Sequence, residues 1–110
     1  MIKNKLGNEI LLDSFGYLKS MTDWDENVAR ELAEKENITL TEDHWEIIFF
    51  VRNFYNEYKT SPAMRMLSKA IEKKLGKDKA KSIYLFQLFP EGPAKQATKI
   101  AGLPKPAKCL

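Results

Sequence analysis

The chain has 110 residues and a net charge of +3, with 44% hydrophobic and 30% charged residues. This length suits a single domain, 1–110, with one ordinary core, and the composition is that of a soluble globular protein. No apolar run approaches the length of a bilayer span, and the N-terminal residues lack the apolar stretch of a secretory signal, so neither a spanning helix nor a signal peptide is expected.

The first twenty residues predict a small antiparallel β-meander. Two short apolar runs, 2–6 and 9–12, flank Gly7-Asn8, a pair typical of a two-residue hairpin turn. A second turn over 13–16 and the apolar pair Tyr17-Leu18 predict a third short strand. A sheet of this size is not stable alone, so we expect it to pack against helices.

Residues 22–101 predict a helical body of about five helices. Asp23 and Glu26 form a weak capping pair for a first helix that ends near Asn37. Thr41 caps a longer helix that is rich in aromatic residues, and this helix is predicted to form the centre of the core.

Three further helices follow. Ser61 and Pro62 have the pattern of a cap and a first helical residue, and Gly76 ends the helix that they begin. The next helix ends at Pro90, and a short last helix closes at Gly102.

The helices on either side of the Lys59-Thr60-Ser61 turn resemble a helix-turn-helix unit. The second of them carries four cations that can meet a DNA backbone: Arg65, Lys69, Lys73 and Lys74. Only Arg65 is suited to reading base edges, so direct DNA binding is not expected. A helix-turn-helix regulator therefore remains only as an alternative function.

His44 is the only histidine of the chain. Without a second histidine or a nearby cysteine it does not indicate a metal site, and its place in the first turn of a helix suggests a solvent-facing or capping role. No glycine-rich phosphate loop or nucleophile elbow is present, so no cofactor is expected.

Residues 102–110 predict a mobile C-terminal arm that begins at Gly102 and carries the only cysteine, Cys109. Pro104 and Pro106 favour extended backbone, which lets the thiol reach about 20 Å from the start of the arm. The arm thus resembles a short, semi-stiff tether with a nucleophile near its tip.

The surroundings of Cys109 favour a reactive thiol. Lys105 and Lys108 stabilise the thiolate, which is the nucleophilic form. A lone cysteine cannot form an intrachain disulfide, which indicates a reducing cytoplasm. Position alone leaves an incidental terminal thiol equally open.

A family resemblance adds to this interpretation. The run from Leu88 to Cys109, together with residues 42–46, 51–55 and 61–67, closely resembles the DsrC/TusE family over nearly the whole chain. The resemblance implies an α+β fold in which a β-meander packs on an array of helices. It also implies a sulfurtransferase of the carrier type, in which Cys109 holds sulfur as a persulfide.

Members with two arm cysteines have the inner one where this chain has Thr98. The resemblance therefore implies the single-cysteine branch, which acts in the sulfur relay for 2-thiolation of the wobble uridine of certain tRNAs. Its implied partners are a TusBCD-type sulfur donor complex and a tRNA 2-thiouridylase with its tRNA, and no membrane. The alternative is a non-catalytic docking subunit in sulfite-reductase-type sulfur metabolism.

Five arm residues are then predicted to support the thiol and its docking into partners. The lysines would steer docking by charge, and the prolines would reduce the entropy lost when the arm enters a cleft. The set is Gly102, Pro104, Lys105, Pro106 and Lys108.

Overall fold

The N-terminal residues form a two-stranded sheet in the computed structural model, which describes residues 2–106. Strand β1 (Ile2–Lys3) pairs antiparallel with β2 (Glu9–Ile10), with Ile2 opposite Ile10. Both isoleucines are buried and both charged partners are exposed, so one face of this short ladder lies on the core.

The connection between the strands is not the predicted two-residue turn. The side-chain oxygen of Asn4 accepts hydrogen bonds from the amides of Leu6 (3.0 Å) and Asn8 (2.9 Å), which gives a loop over residues 4–8. The turn prediction was wrong because an asparagine side chain can replace a backbone acceptor and close a longer loop.

The predicted third strand is a single bridge between Leu12 and Leu18. Asp13 sets the turn before it, because one oxygen of its carboxylate accepts from the amides of Phe15 (2.8 Å) and Tyr17 (3.0 Å). The described sheet therefore has two strands, and the meander continues as turns.

A single 3₁₀ turn (Met21–Asp23) leads into helix α1 (Glu26–Lys35), which is capped by Asp25, two residues after the predicted cap. The Asp25 carboxylate accepts from the amides of Val28 (2.9 Å) and Lys5 (2.8 Å). Partial burial opposes ionisation of Asp25, but these amides outweigh it and lower the pKa of the carboxyl below its usual value. Asp25 thus joins the N-terminal loop to the helical body.

Helix α2 (Glu42–Tyr58) begins at the predicted cap, Thr41. The ring of His44 completes a capping box, because its Nδ1 accepts from the Thr41 amide at 3.1 Å. The proton of the neutral ring is then on Nε2, which donates to the Leu88 carbonyl at 2.8 Å. The predicted capping role of His44 is confirmed, whereas the solvent-facing alternative is wrong, since the residue is only 8% exposed.

The second half of the chain forms four helices. Within residues 2–106 there are six α-helices, one more than predicted, because extended backbone at Lys81 separates a short helix from the next. The four are α3 (Met64–Leu75), α4 (Lys77–Ala80), α5 (Ser82–Leu88) and α6 (Pro93–Ile100).

The start of α3 differs from its prediction. Its N-cap is Ala63, which makes no side-chain capping bond, and Ser61 lies two residues before it. The Ser61 hydroxyl instead donates to the carbonyl of Pro104 at 2.6 Å. The cap prediction failed because a tertiary acceptor took the hydroxyl that the local pattern assigned to the helix.

Helix α6 occupies the middle of the body and packs against α1, α2, α3 and α5. Six of its eight residues are buried, and small side chains such as Ala94 and Ala97 allow neighbouring helices to approach closely. The predicted α+β class, a small antiparallel sheet packed on helices, is confirmed, but α6 shares the central position that was predicted for α2 alone.

Candidate functional site at the root of the C-terminal arm

The backbone that leaves α6 is held by three side chains from distant parts of the chain. We call residues 100–104 the arm root. Trp24 Nε1 donates to the Ile100 carbonyl at 2.9 Å, and Arg52 Nη1 donates to the Ala101 carbonyl at 2.6 Å. The third donor is the Ser61 hydroxyl, which donates to the Pro104 carbonyl as described above. The last carbonyls of a helix have no partner within it, so these donors satisfy groups that burial would otherwise penalise.

The guanidinium of Arg52 makes a second contact, because it stacks over the indole of Trp24 at 3.9 Å from the ring centroid. Burial lowers the pKa of Arg52, but an arginine keeps its charge in a protein. A cation at the C-terminal end of α6 also complements the helix dipole. Trp24 and Arg52 therefore act as one unit that fixes the end of α6.

Gly102 is required at the turn that follows. Its φ of +72° lies in the left-handed region, which residues with a side chain rarely adopt. A Cβ at this position would overlap the indole of Trp24 and lie 2.8 Å from Leu18 Cδ1. The turn thus brings the arm root against the same indole that binds the Ile100 carbonyl.

The residues after the turn lie on the body. Leu103 is part of the hydrophobic core, and its amide donates to the Thr98 carbonyl at 3.1 Å. Pro106 is buried, and the Lys105 ammonium lies 4.6 Å from the centroid of the Phe15 ring. Within the described part of the predicted arm, 102–106, three residues are therefore buried against the body, whereas Pro104 and Lys105 are exposed.

An open groove of about 590 Å³ lies beside Lys105 and Pro106. We call it the arm groove. Its apolar lining includes Phe15, which is 65% exposed, and Phe86, and its charged lining residues are three lysines and one acidic residue, Glu91. The chain thus reaches the last described residue at a surface that is both apolar and basic.

Of the three lysines that line the arm groove, Lys99 is the most enclosed. Its side chain is 11% exposed, lies 3.5 Å from the Glu36 carboxylate, and faces the Tyr17 ring at 5.2 Å. Glu36 also accepts from the amide of buried Gln96 at 3.1 Å. These contacts tie the outer side of α6 to the end of α1.

Thr98 lies on α6 at the position where the family resemblance places a second cysteine. The residue is completely buried, and its hydroxyl has no hydrogen-bond partner among residues 2–106. The position is therefore part of the interior that supports the arm root.

The structure brings together some of the predicted site residues. Gly102 and Pro104 belong to the arm root, and Lys105 and Pro106 border the arm groove. Cys109 and Lys108 lie outside the described residues, as does the predicted reach of the thiol. Lys105 contacts Phe15, and its support of the thiolate stays a prediction.

Sequence reasoning missed three residues of the site: Trp24, Arg52 and Ser61. Arg52 gave one usable signal, because it is a cation on the apolar side of α2, where a buried acceptor is to be expected. Ser61 gave a misleading signal, and no local pattern marks Trp24.

The described part of the chain offers neither a metal-binding cluster nor a membrane-spanning helix. Among residues 2–106 no cluster of histidine, cysteine or acidic side chains is arranged to hold a metal ion. Across the same range, no helix combines the length and apolar character of a membrane span.

Comparison with known proteins relates this site to a family. A family model described as "DsrC like protein" matches residues 4–110. "Sulfurtransferase TusE" from Photorhabdus laumondii is 62% identical over 104 residues, which are 94% of this chain and 94% of that protein.

Solved structures give the same result. DsrC from Allochromatium vinosum, determined by NMR, has a TM-score of 0.89 and 50% identity, and the match covers 99% of this chain and 96% of that one. The oxidized γ-subunit of dissimilatory sulfite reductase (DsrC) from Archaeoglobus fulgidus has a TM-score of 0.83 and 40% identity, covering 99% and 98%. Because the family model and these relatives match nearly the whole chain, the chain belongs to the family of DsrC-like proteins.

Proposed function

We propose that this protein is a sulfur-relay protein, a sulfurtransferase of the carrier type, that holds persulfide sulfur on Cys109. The proposal rests mainly on one observation, the anchored arm root. Three donors hold the carbonyls of residues 100, 101 and 104, and Cys109 is only five residues beyond the last of them. Five residues span at most about 17 Å, so the thiol stays within a defined distance of the body.

The proposed chemistry needs only a thiolate. In loading, the Cys109 thiolate attacks the outer sulfur of a donor persulfide, the donor S–S bond breaks, and the donor leaves as a thiolate. In delivery, a thiolate of the acceptor attacks the outer sulfur on Cys109, which returns to the thiolate form. Each step exchanges one S–S bond for another, so neither needs an external oxidant or reductant.

The names of the relatives support the sulfur-transfer role, because several proteins at 57–62% identity are called sulfurtransferase TusE. From the family resemblance we propose a TusBCD-type complex as the donor and a tRNA 2-thiouridylase acting on the wobble uridine as the acceptor. Such a relay operates with a free thiol, which suits a reducing cytoplasm. Lys105 and Lys108 are proposed to favour the thiolate, and Pro104 and Pro106 to limit the freedom of the arm.

A second candidate is a docking subunit of a sulfite reductase. The Archaeoglobus structure favours it, because that relative is a subunit of such an enzyme and shares the fold. The threonine at position 98 favours the relay. It stands where two-cysteine members have their inner cysteine, so this chain cannot form their internal disulfide. The two candidates differ in whether the protein itself becomes loaded with sulfur.

Mass spectrometry after incubation with a persulfide donor tests the proposal. We expect the C-terminal peptide of the wild type to gain the mass of one sulfur atom and to lose it on reduction. Cys109→Ser should gain none while unfolding at the same temperature, and wild type alkylated beforehand should also gain none. Sulfur on Cys109→Ser, or no sulfur on the wild type, would exclude the relay.

A further inference from the structure

The positive charge of this protein is concentrated in one segment. Residues 64–81, which contain α3 and α4, have seven lysines and arginines and two acidic residues, a net charge of +5. The whole chain has +3, so the remaining residues together carry −2. An asymmetry of this size creates a local field that attracts anions.

Two of the seven cations have acidic partners. Lys79 pairs with Glu46 at 2.7 Å, and Lys81 pairs with Asp78 at 3.5 Å. The other five are exposed and form no ion pair within residues 2–106. We call these five the α3–α4 basic surface: Arg65, Lys69, Lys73, Lys74 and Lys77.

The arrangement is not explained by the stability of α3. Arg65, Lys69 and Lys73 follow one another at intervals of four residues, so they share a face and extend over about 12 Å. Like charges at this spacing destabilise a helix slightly. Arg65 also lies in the first turn of α3, where the helix dipole favours acidic residues, and this turn has none.

This surface begins next to the arm root. Ser61, which holds the Pro104 carbonyl, lies just before α3, and Met64 at the start of α3 lines the arm groove together with Lys105. An anion bound along α3 would therefore lie beside the point from which the segment bearing Cys109 departs.

We propose that the α3–α4 basic surface binds the phosphate backbone of a tRNA, in helical rather than single-stranded regions. This proposal rests on the proposed function, in which the acceptor enzyme acts on a tRNA. Exposed lysines form phosphate contacts without reading sequence. Residues 64–81 contain no aromatic side chain on which an unpaired base could stack, and Arg65 is their only forked donor. Binding should therefore be strongly dependent on salt and weakly dependent on sequence.

Fluorescence anisotropy with labelled tRNA tests the proposal on the full chain. The double variant Lys69→Gln/Lys73→Gln should weaken binding at low salt by about tenfold and reduce the slope of log K against log salt by about two. The matched control is Lys19→Gln/Lys35→Gln, which removes two exposed lysines elsewhere and gives the same net charge. The control should bind tRNA like the wild type, and both variants should keep the wild-type unfolding midpoint.

Three results would overturn the proposal: equal losses in the two variants, tighter binding to single-stranded RNA than to tRNA, or tighter binding to duplex DNA. The last would favour the helix-turn-helix alternative. Loading of Cys109 is measured without RNA, so the two proposals fail separately. Normal loading with no α3-dependent tRNA binding rejects only this surface, whereas absent loading rejects the relay on which it rests.

Discussion

Lys99 on α6 and the lysines of the α3–α4 basic surface have opposite surroundings. Lys99 on α6 is enclosed, with Glu36 and the Tyr17 ring as partners. Lys69 and Lys73 on α3 are exposed and have no ion pair in the described part of the chain. The comparison shows that one part of the positive charge is used in contacts within the fold, whereas the part on α3 stays exposed to solvent.

The same contrast separates the arm root from the rest of the surface. Around residues 100–104, polar side chains donate to buried carbonyls, and a glycine turn fits against an indole. The exposed lysines of α3 form no ion pair among residues 2–106. Substitutions should therefore have large effects on stability at the arm root and small ones on α3.

The largest effect is expected for Gly102→Ala. The alanine must adopt a positive φ and its Cβ must displace the Trp24 indole, which together should reduce the free energy of unfolding by about 2–5 kcal/mol. Urea unfolding measures it. Gly7→Ala is the matched control, because Gly7 has a φ of +83° and no atom near its Cβ position, so strain alone should cost about 1–2 kcal/mol. Equal losses at both glycines would mean that the arm root is not closely packed.

A smaller effect is expected for Arg52→Met. The methionine keeps much of the packing on Trp24 but leaves the buried Ala101 carbonyl without its charged donor, which should cost about 1.5–3 kcal/mol. Arg30→Met is the control, because Arg30 also lies over an indole but pairs with Glu26 at a site where both side chains are 58% exposed. That change should cost about 0–1 kcal/mol. A control loss as large as that of Arg52→Met would contradict the anchoring role.

The smallest effect compares two lysines directly. Lys99→Gln removes an enclosed ion pair and should reduce the free energy of unfolding by about 1 kcal/mol. Lys69→Gln should change it by less than about 0.5 kcal/mol, since the side chain is exposed and unpaired among residues 2–106. Thermal and urea unfolding of the two variants side by side would measure this difference, and its reversal would exchange the roles assigned to the two helices.

Local signals in the sequence predicted much of this fold. Thr41 is a typical cap residue, and α2 begins where that residue predicts. Gly102 ends α6 with a positive φ, as a glycine after a helix should. In each case the residues that determine the structure are neighbours in the chain, so the pattern is visible without tertiary information.

Contacts between distant residues could not be predicted. Trp24 donates to a carbonyl 76 residues away, and Arg52 to one 49 residues away. Ser61 has the same neighbours as a helix cap, and only the packed position of Pro104 decides its partner. The candidate nucleophile was therefore identifiable from the sequence, whereas the side chains that anchor its arm were not.

The central claim is that an anchored arm root presents the Cys109 thiol to the acceptor. Its most direct test is the single-turnover transfer of labelled sulfur from preloaded protein to the acceptor enzyme, with thiol alkylation measured in parallel. Ser61→Ala should slow transfer by roughly three- to tenfold and leave alkylation unchanged, because it releases Pro104 without altering the thiol. Ser68→Ala, which removes a comparable hydroxyl bond to the Ala80 carbonyl, should alter neither. Wild-type transfer by Ser61→Ala, or equal slowing by Ser68→Ala, would contradict the claim.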